Sequence, residues 1–578
     1  MKKYIIILLS FFTIACGSNK SSEFKLTKAK GDRYYGGTFR YNEEEYFKSL
    51  YPLNITEVTG HRIAEQIYEG LVKFNVKTLA IEPCIAKSWD ILENGNVYIF
   101  HLRDSVYYHD DECFPNGKGR KVTAQDFKYC FDRLCFHDPA NNQGTWIFQD
   151  VVQGANEYNE ATANGQNPSE GVSGVQVIND STLSITLEKP YAVFLARLGL
   201  IFAKVYPKEA VEHYGQEMRV KTVGTGPFYL NKLIENQVVF LSKNEQYWNK
   251  DEFGNQLPLL DNIKVTFIKE KKAELEEFKK GKSDLVYKFP LEIIDEIIDV
   301  NANLRPAFQQ FQVQYMPSMS LQYYGFLNIG KIFHDKNVRL AFCYAVDRDK
   351  LCKFTLKNTG FPAKYGVVPP GTGTYPSDNV KGYSYDPEKA RKYLADAGFP
   401  NGKGFPKVTL QLNSGGSRNT QVAEAITKMI EETLNIEVDM LMVPWAQHTE
   451  AVEAAKTDFF RMGWIADYPD AENFLNLFHS KYVPDDPTQK TYINSFRFKD
   501  AKFDALFDKA VSTTDETERN KLYNQADQEI IDNAAVLPTY YDIDFRLLQP
   551  NVRNCPQNAM EYREFSEVYL VPKEKKNE

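Results

Sequence analysis

Along this chain, short runs rich in β-branched and aromatic residues alternate with stretches whose apolar positions recur every three or four residues, without a strict strand–helix–strand repeat. Residues 97–102 (VYIFHL) predict a strand, and 123–134 a helix. Thr123 is its N-cap and Asp126, three residues on, can reach back to it, close to a capping box. Residues 175–178 and 182–187 flank Asn179-Asp180-Ser181, a hairpin pattern. Farther on, Asp386-Pro387-Glu388 opens a helix that stops at Gly398, with Pro400 beyond it. A strand at 407–412, a helix at 419–434 and a strand at 436–440 complete the outline of an α/β lobe.

At 578 residues the chain exceeds what one hydrophobic core serves, so two or three domains are expected. A formal charge of -8 offers no dominant basic field for phosphates and excludes a nucleic-acid partner. The first residues differ from the rest. Lys2 and Lys3 precede an apolar run from Tyr4 to Ile14, too short to span a bilayer, and Ala15-Cys16 closes it. Residues 1–15 therefore predict a secretory signal. Its end resembles the lipobox of bacterial lipoproteins, with Thr13 where Leu is usual, which makes Cys16 the lipidated first residue and 16–32 a flexible tether to a membrane. No second apolar stretch has the length of a span.

Seven further cysteines are present, an odd number for an oxidising compartment. Cys113, Cys130, Cys135 and His137 invite a zinc reading, but a five-residue offset on a helix turns Cys130 and Cys135 about 140° apart, so no metal is expected. HExxH and GxSxG are absent, and Pro227 blocks Gly224-Thr225-Gly226 from acting as a dinucleotide loop. His101, His109 and Asp110-Asp111 read as a solvated strand end. No enzyme and no cofactor is expected.

Several segments, in order, resemble family 5 of the bacterial extracellular solute-binding proteins. Gly36-Gly37-Thr38-Phe39-Arg40 is similar to its opening strand, and Ile67-Tyr68-Glu69-Gly70-Leu71 to the helix that follows. Ala86-Lys87-Ser88-Trp89, residues 98–103 and Val122-Thr123-Ala124-Gln125-Asp126-Phe127 form the most diagnostic stretch. Residues 223–229, 244–248, 338–341, 345–348 and Gly463-Trp464-Ile465-Ala466-Asp467-Tyr468 follow. The resemblance implies a mixed α/β, two-lobed periplasmic-binding-protein-like fold with an extra domain inserted in the first lobe. The expected division is a discontinuous first lobe (33–60, 175–284 and 514–572), an insert (61–174) and a second lobe (285–513).

It also implies a monomeric substrate-binding lipoprotein of an ABC importer, held on the periplasmic or extracellular face of the cell envelope. It would capture peptides, read by backbone and termini, and hand them to membrane permease subunits. Asp467 is similar to the aspartate that receives the peptide amine, a charge that needs a partner once water is excluded. Arg461 matches an arginine that meets a C-terminal carboxylate by two parallel hydrogen bonds; the competing expectation is a salt bridge to Asp458. Trp445 matches a side-chain pocket, Gly463, Trp464 and Ile465 the backbone that pairs with peptide, and Glu57 and Val58 the facing edge on the first lobe. The alternatives are another solute (a nickel complex, haem or an oligosaccharide) or a surface sensor or adhesin.

Overall fold

A computed structural model describes residues 26–573, apart from 139, 300, 302, 415–416 and 487–488. The expected signal and Cys16 lie outside the described residues. The tether expected to reach residue 32 stops sooner, because Thr27–Lys28 pairs antiparallel with Tyr34–Tyr35. Arg33 is buried there and bridges Asp251 at 3.1 Å, Glu567 at 3.0 Å and Glu252 at 2.7 Å, which fixes the segment to the body.

One mixed sheet runs through the molecule in the order Phe228–Ile234, Val238–Lys243, Asn262–Phe267, Thr38–Glu43, Leu285–Tyr287, Val536–Leu548, Gln312–Phe326, Phe459–Ile465, Val408–Asn413, Val438–Val443. Gly360–Pro362 pairs alongside Val536–Leu548. Two long strands thread both lobes: the outgoing strand Gln312–Phe326 and the returning strand Val536–Leu548. They are antiparallel, with Pro317 opposite Ile543 and Leu321 opposite Tyr541. Residues 318–320 therefore share the position opposite Asp542, a bulge that bends a ribbon and weakens its ladder. The returning strand is central and buried on both faces, except at Asp542, Ile543 and Asp544.

The bulge divides the lobes, and this moves two expected boundaries. Leu285–Tyr287 and the first half of the outgoing strand belong to the first-lobe half of the sheet, since both pair with residues 543–548. Helix Glu516–Asp532 belongs to the second lobe, where Asp527 accepts the Val367 N–H at 2.8 Å and the Tyr375 hydroxyl at 2.9 Å. The second lobe is thus one continuous stretch, from the bulge to about residue 541. The insert also grows. The hairpin Val175–Asn179 and Thr182–Thr186 joins Ala86–Leu92 and Val97–Leu102 in a separate four-stranded sheet, because Thr182–Thr186 pairs with Val97–Leu102 from His101 to Val97. A hairpin pattern in sequence carries no information about which sheet the hairpin joins.

Local chemistry sets the helices as expected. Thr123 and Asp126 form the full capping box of Ala124–Cys135. Asp386, Asp500 and Asp515 each cap a following helix by accepting an N–H three residues on. All seven described cysteines are free, and all but Cys113 are buried; Cys130, for instance, donates to the Tyr206 carbonyl at 3.3 Å. Beneath helices Lys271–Lys279 and Leu291–Ile297 lies a small separate core, which includes Phe278, Val286, Phe289, Ile294 and Phe545.

Candidate functional site

The strand Phe459–Ile465 pairs with the outgoing strand along its whole length, from Phe459 opposite Phe326 to Ile465 opposite Ser320. On its other side only Phe459 and Phe460 meet Leu410 and Gln411. From Arg461 onward that edge has no strand partner. Ala466 donates its N–H to the Met319 carbonyl at 2.9 Å on the paired side. Backbone polar groups of successive residues alternate in direction, so Gly463 and Ile465 turn their N–H and C=O to the unpaired edge. Arg461 has the same parity, and His448 Nε2 meets its carbonyl at 2.8 Å. Of the three residues expected to pair with peptide backbone, Gly463 and Ile465 thus form a short open edge that can take one more strand, whereas Trp464 turns its N–H and C=O to the outgoing strand.

Asp467 stands just past the end of that edge. Its backbone N–H donates to Asn473 Oδ1 at 3.2 Å, and Asn473 Nδ2 returns a bond to Asp467 Oδ2 at 3.3 Å. Trp464 Nε1 donates to the same Asn473 oxygen at 2.8 Å, so one amide positions both residues. The carboxylate stays open to solvent while protein encloses it on most sides. Burial raises its pKa to about 6, against the lowering effect of Asn473 and of Arg197. Arg197 is itself committed to Glu472, at 3.7 Å, which also accepts the Tyr191 hydroxyl at 3.1 Å. Ala192 N–H meets the Val511 carbonyl at 3.0 Å beside this cluster, so the segment after the insert closes against the second lobe.

Arg461 has no ion pair with Asp458. It donates to Gln322 Oε1 and, at 3.3 Å, to Asn413 Oδ1, two neutral amides that hold the guanidinium without neutralising it. Gln322 can lie there because residue 463 is glycine: a Cβ would sit 2.6 Å from Gln322 Oε1. Trp445 opens helix Trp445–Glu453, is 52% exposed and lies 5.9 Å ring to ring from His448, which ties it to the open edge.

The first-lobe residues depart from expectation. Glu57 is extended but is the N-cap of helix Val58–Ala64, and its carboxylate accepts from the Thr56 N–H at 3.3 Å and from the Lys48 N–H. Val58, half exposed, is already helical, so this segment is a helix entry and not a strand. Sequence reading also missed Asn473, Gln322 and His448; no local motif distinguishes an amide or imidazole whose partner is another functional residue.

The family profile described as "Bacterial extracellular solute-binding proteins, family 5 Middle" matches residues 80–485. Heme-binding protein A of Haemophilus influenzae is 27% identical over 558 residues, 95% of each chain. The periplasmic oligopeptide-binding protein OppA of Escherichia coli is 25% identical over 516 residues, 88% of each. Among solved structures, the periplasmic binding protein DppA from Helicobacter pylori in complex with peptide STSA superposes with a TM-score of 0.74 at 25% identity, covering 93% of this chain and 98% of the other.

Proposed function

This chain belongs to family 5 of the bacterial extracellular solute-binding proteins, and from that premise we propose that it captures peptides between its two lobes and delivers them to an ABC importer. The carrying observation is the open edge at Gly463 and Ile465, which ends beside the enclosed, solvent-open carboxylate of Asp467. An extended peptide adds a strand there through its backbone and brings its ammonium to Asp467, while its side chains take no part in the pairing. Arg461 supplies a cation for a C-terminal carboxylate that reaches it. The oligopeptide-binding relative and the neighbour holding peptide STSA support this reading.

Calorimetry with free and N-acetylated peptides tests it. Acetylation should weaken binding by roughly 2–5 kcal/mol, and so should Asp467→Asn. The two losses should not add, because either one already removes the charge pair. Equal binding of free and acetylated peptides would move the assignment to a different solute.

Haem is the second reading, favoured by the likeness to Heme-binding protein A. Haem carries carboxylates and no ammonium, so Asp467→Asn should then leave affinity unchanged or raise it, which the same titrations with hemin would reveal. Membership of a solute-binding family supports the expectation that the chain is a carrier and not an enzyme. Residues 1–16 support a lipid anchor at Cys16 on the outer side of a membrane; Cys16→Ser should then release a folded protein into the aqueous phase on detergent partitioning.

A further inference from the structure

Lys288 directly follows the strand Leu285–Tyr287, which runs parallel to Thr38–Glu43. Its ammonium therefore stands at the carboxyl end of these two strands, the end at which open α/β sheets place ligands. The returning strand passes the same spot at Asp544, one of its three incompletely buried residues and two positions from the bulge. Three features set this lysine apart.

Its backbone is in the left-handed region, at φ 55°, where a lysine is strained and asparagine or glycine would be at ease. Buried Tyr287 and Phe289 on either side hold it there. The side chain is exposed and has no hydrogen bond or ion pair among the described residues, although protein surrounds it closely enough that burial, followed by the charge of Arg62, lowers its pKa. Of the three nearest acids, two are already committed to arginines. Glu43 is bridged by Arg62 and by Arg563, each at 3.1 Å. Glu561 is bridged by Arg563 at 2.9 Å and by Arg546 at 3.7 Å. Burial works against the Glu561 charge, yet Arg563, Arg546 and Arg62 outweigh it and hold its pKa at about 2. Asp544, the third acid, is pushed up to about 6 by burial and then by Glu561. Four cations thus face three acids, one of them easily protonated, and the surplus charge is the one that reaches solvent.

We propose that Lys288 is a ligand-binding residue on the first-lobe wall of the cleft, taking a carboxylate of the bound peptide. A cation that sheds its water when the lobes close is costly without an acceptor, and a ligand oxygen would supply what the protein withholds. With Asp467 and Arg461 on the second lobe, the cleft presents an unneutralised cation on each wall and an unneutralised carboxylate facing Lys288. Closing the lobes on a peptide would satisfy both Asp467 and Lys288. This inference rests on the peptide reading above.

The test uses the whole mature protein and two variants. Lys288→Asn removes the charge and suits the left-handed backbone, so folding is preserved; Lys288→Arg keeps the charge. Calorimetry would compare tri-, tetra- and penta-alanine as free acids and as C-terminal amides, together with amidated tetrapeptides carrying Glu or Gln at each position. The wild type should bind some acid-bearing member roughly thirtyfold more tightly than its uncharged counterpart. Lys288→Asn should reduce that preference to about twofold and Lys288→Arg should restore it. Loss of preference for the free acids identifies the terminal carboxylate, and loss for the Glu series a side chain. Peptide binding with an acid preference equal in wild type and Lys288→Asn, or with none in either, overturns the proposal while the peptide reading stands. Failure of every peptide to bind the wild type overturns both.

Discussion

Ser320 donates its hydroxyl to Asp542 at 2.7 Å across the larger of the two places where the outgoing and returning strands change register. Gln322 Nε2 donates to the same carboxylate oxygen at 2.7 Å, and Arg418 of the second lobe reaches the other at 3.0 Å. Gln322 in turn accepts from Arg461, so a chain of polar contacts runs from the bend to a residue expected to touch ligand. Asp542→Ala should lower stability by about 1–3 kcal/mol, toward the low end because the Arg418 pair is partly solvated. Urea unfolding measures that loss. Small-angle scattering of the ligand-free variant should show a larger radius of gyration, as the two strands bend more freely once their clasp is gone. An unchanged radius would make Asp542 a stabiliser with no hold over lobe angle.

Peptide affinity should depend on pH through Asp467. Its carboxylate has a raised pKa, about 6, so it is mostly ionised at pH 7 and mostly protonated at pH 5. An arriving ammonium favours the ionised form, so binding expels a proton near pH 6, and affinity falls by up to about tenfold per unit at lower pH. The stability effect has the opposite sign. A carboxyl group whose folded pKa lies above its unfolded value of 3.8 stabilises the ligand-free fold when pH drops through 6, and this contribution is complete below about 3.8. Calorimetry in buffers of different ionisation enthalpy should register the released proton, and Asp467→Asn should abolish it. A pH-independent affinity between 5 and 7 would count against the ammonium contact.

Gly463→Ala should weaken binding of peptides that reach Arg461 more than shorter ones. The new methyl would collide with the Gln322 side chain, whose Oε1 lies 2.6 Å from the Cβ position. Gln322 would have to swing away and release its hold on Arg461. The open edge itself survives, since alanine is tolerated in a strand. Titration of a length series would show the effect, and a penalty independent of length would place the damage in the backbone edge.

What was legible in the sequence was local. Thr123 and Asp126 announced a helix start because both capping partners lie within one turn. The strand at Val97–Leu102 was visible from its run of β-branched and aromatic residues. Asp467, Gly463 and Arg461 were reached through family likeness, and no pattern in the residues alone would have selected them. The bulge opposite Asp542 could not be seen, because it consists of a mismatch between strands some 220 residues apart. For the same reason Thr182–Thr186 reads in sequence as first lobe rather than insert, and Glu516–Asp532 as first lobe rather than second: hydrophobic spacing reports that a face is buried, not against what. Lys288 carried no motif. Its interest arises from three arginines distant from it in sequence that satisfy Glu43 and Glu561, two of the acids it would otherwise have paired with.

The position of Val536–Leu548 at the centre of the sheet has a consequence for biogenesis. Among the described residues it alone joins the strands on its two sides: Leu285–Tyr287 borders it on one side, Gln312–Phe326 on the other, and these two do not pair with each other. It is also the last long strand to leave the ribosome. Until residue 548 has emerged, each half-sheet carries an unfilled slot at its inner edge. A chain delayed at that stage offers two exposed strand edges to any neighbour, so export before synthesis ends would hand those edges to the far side of the membrane still unpaired. Truncation near residue 535 should therefore produce aggregation rather than a stable fragment, even though nearly all of the second lobe would be present.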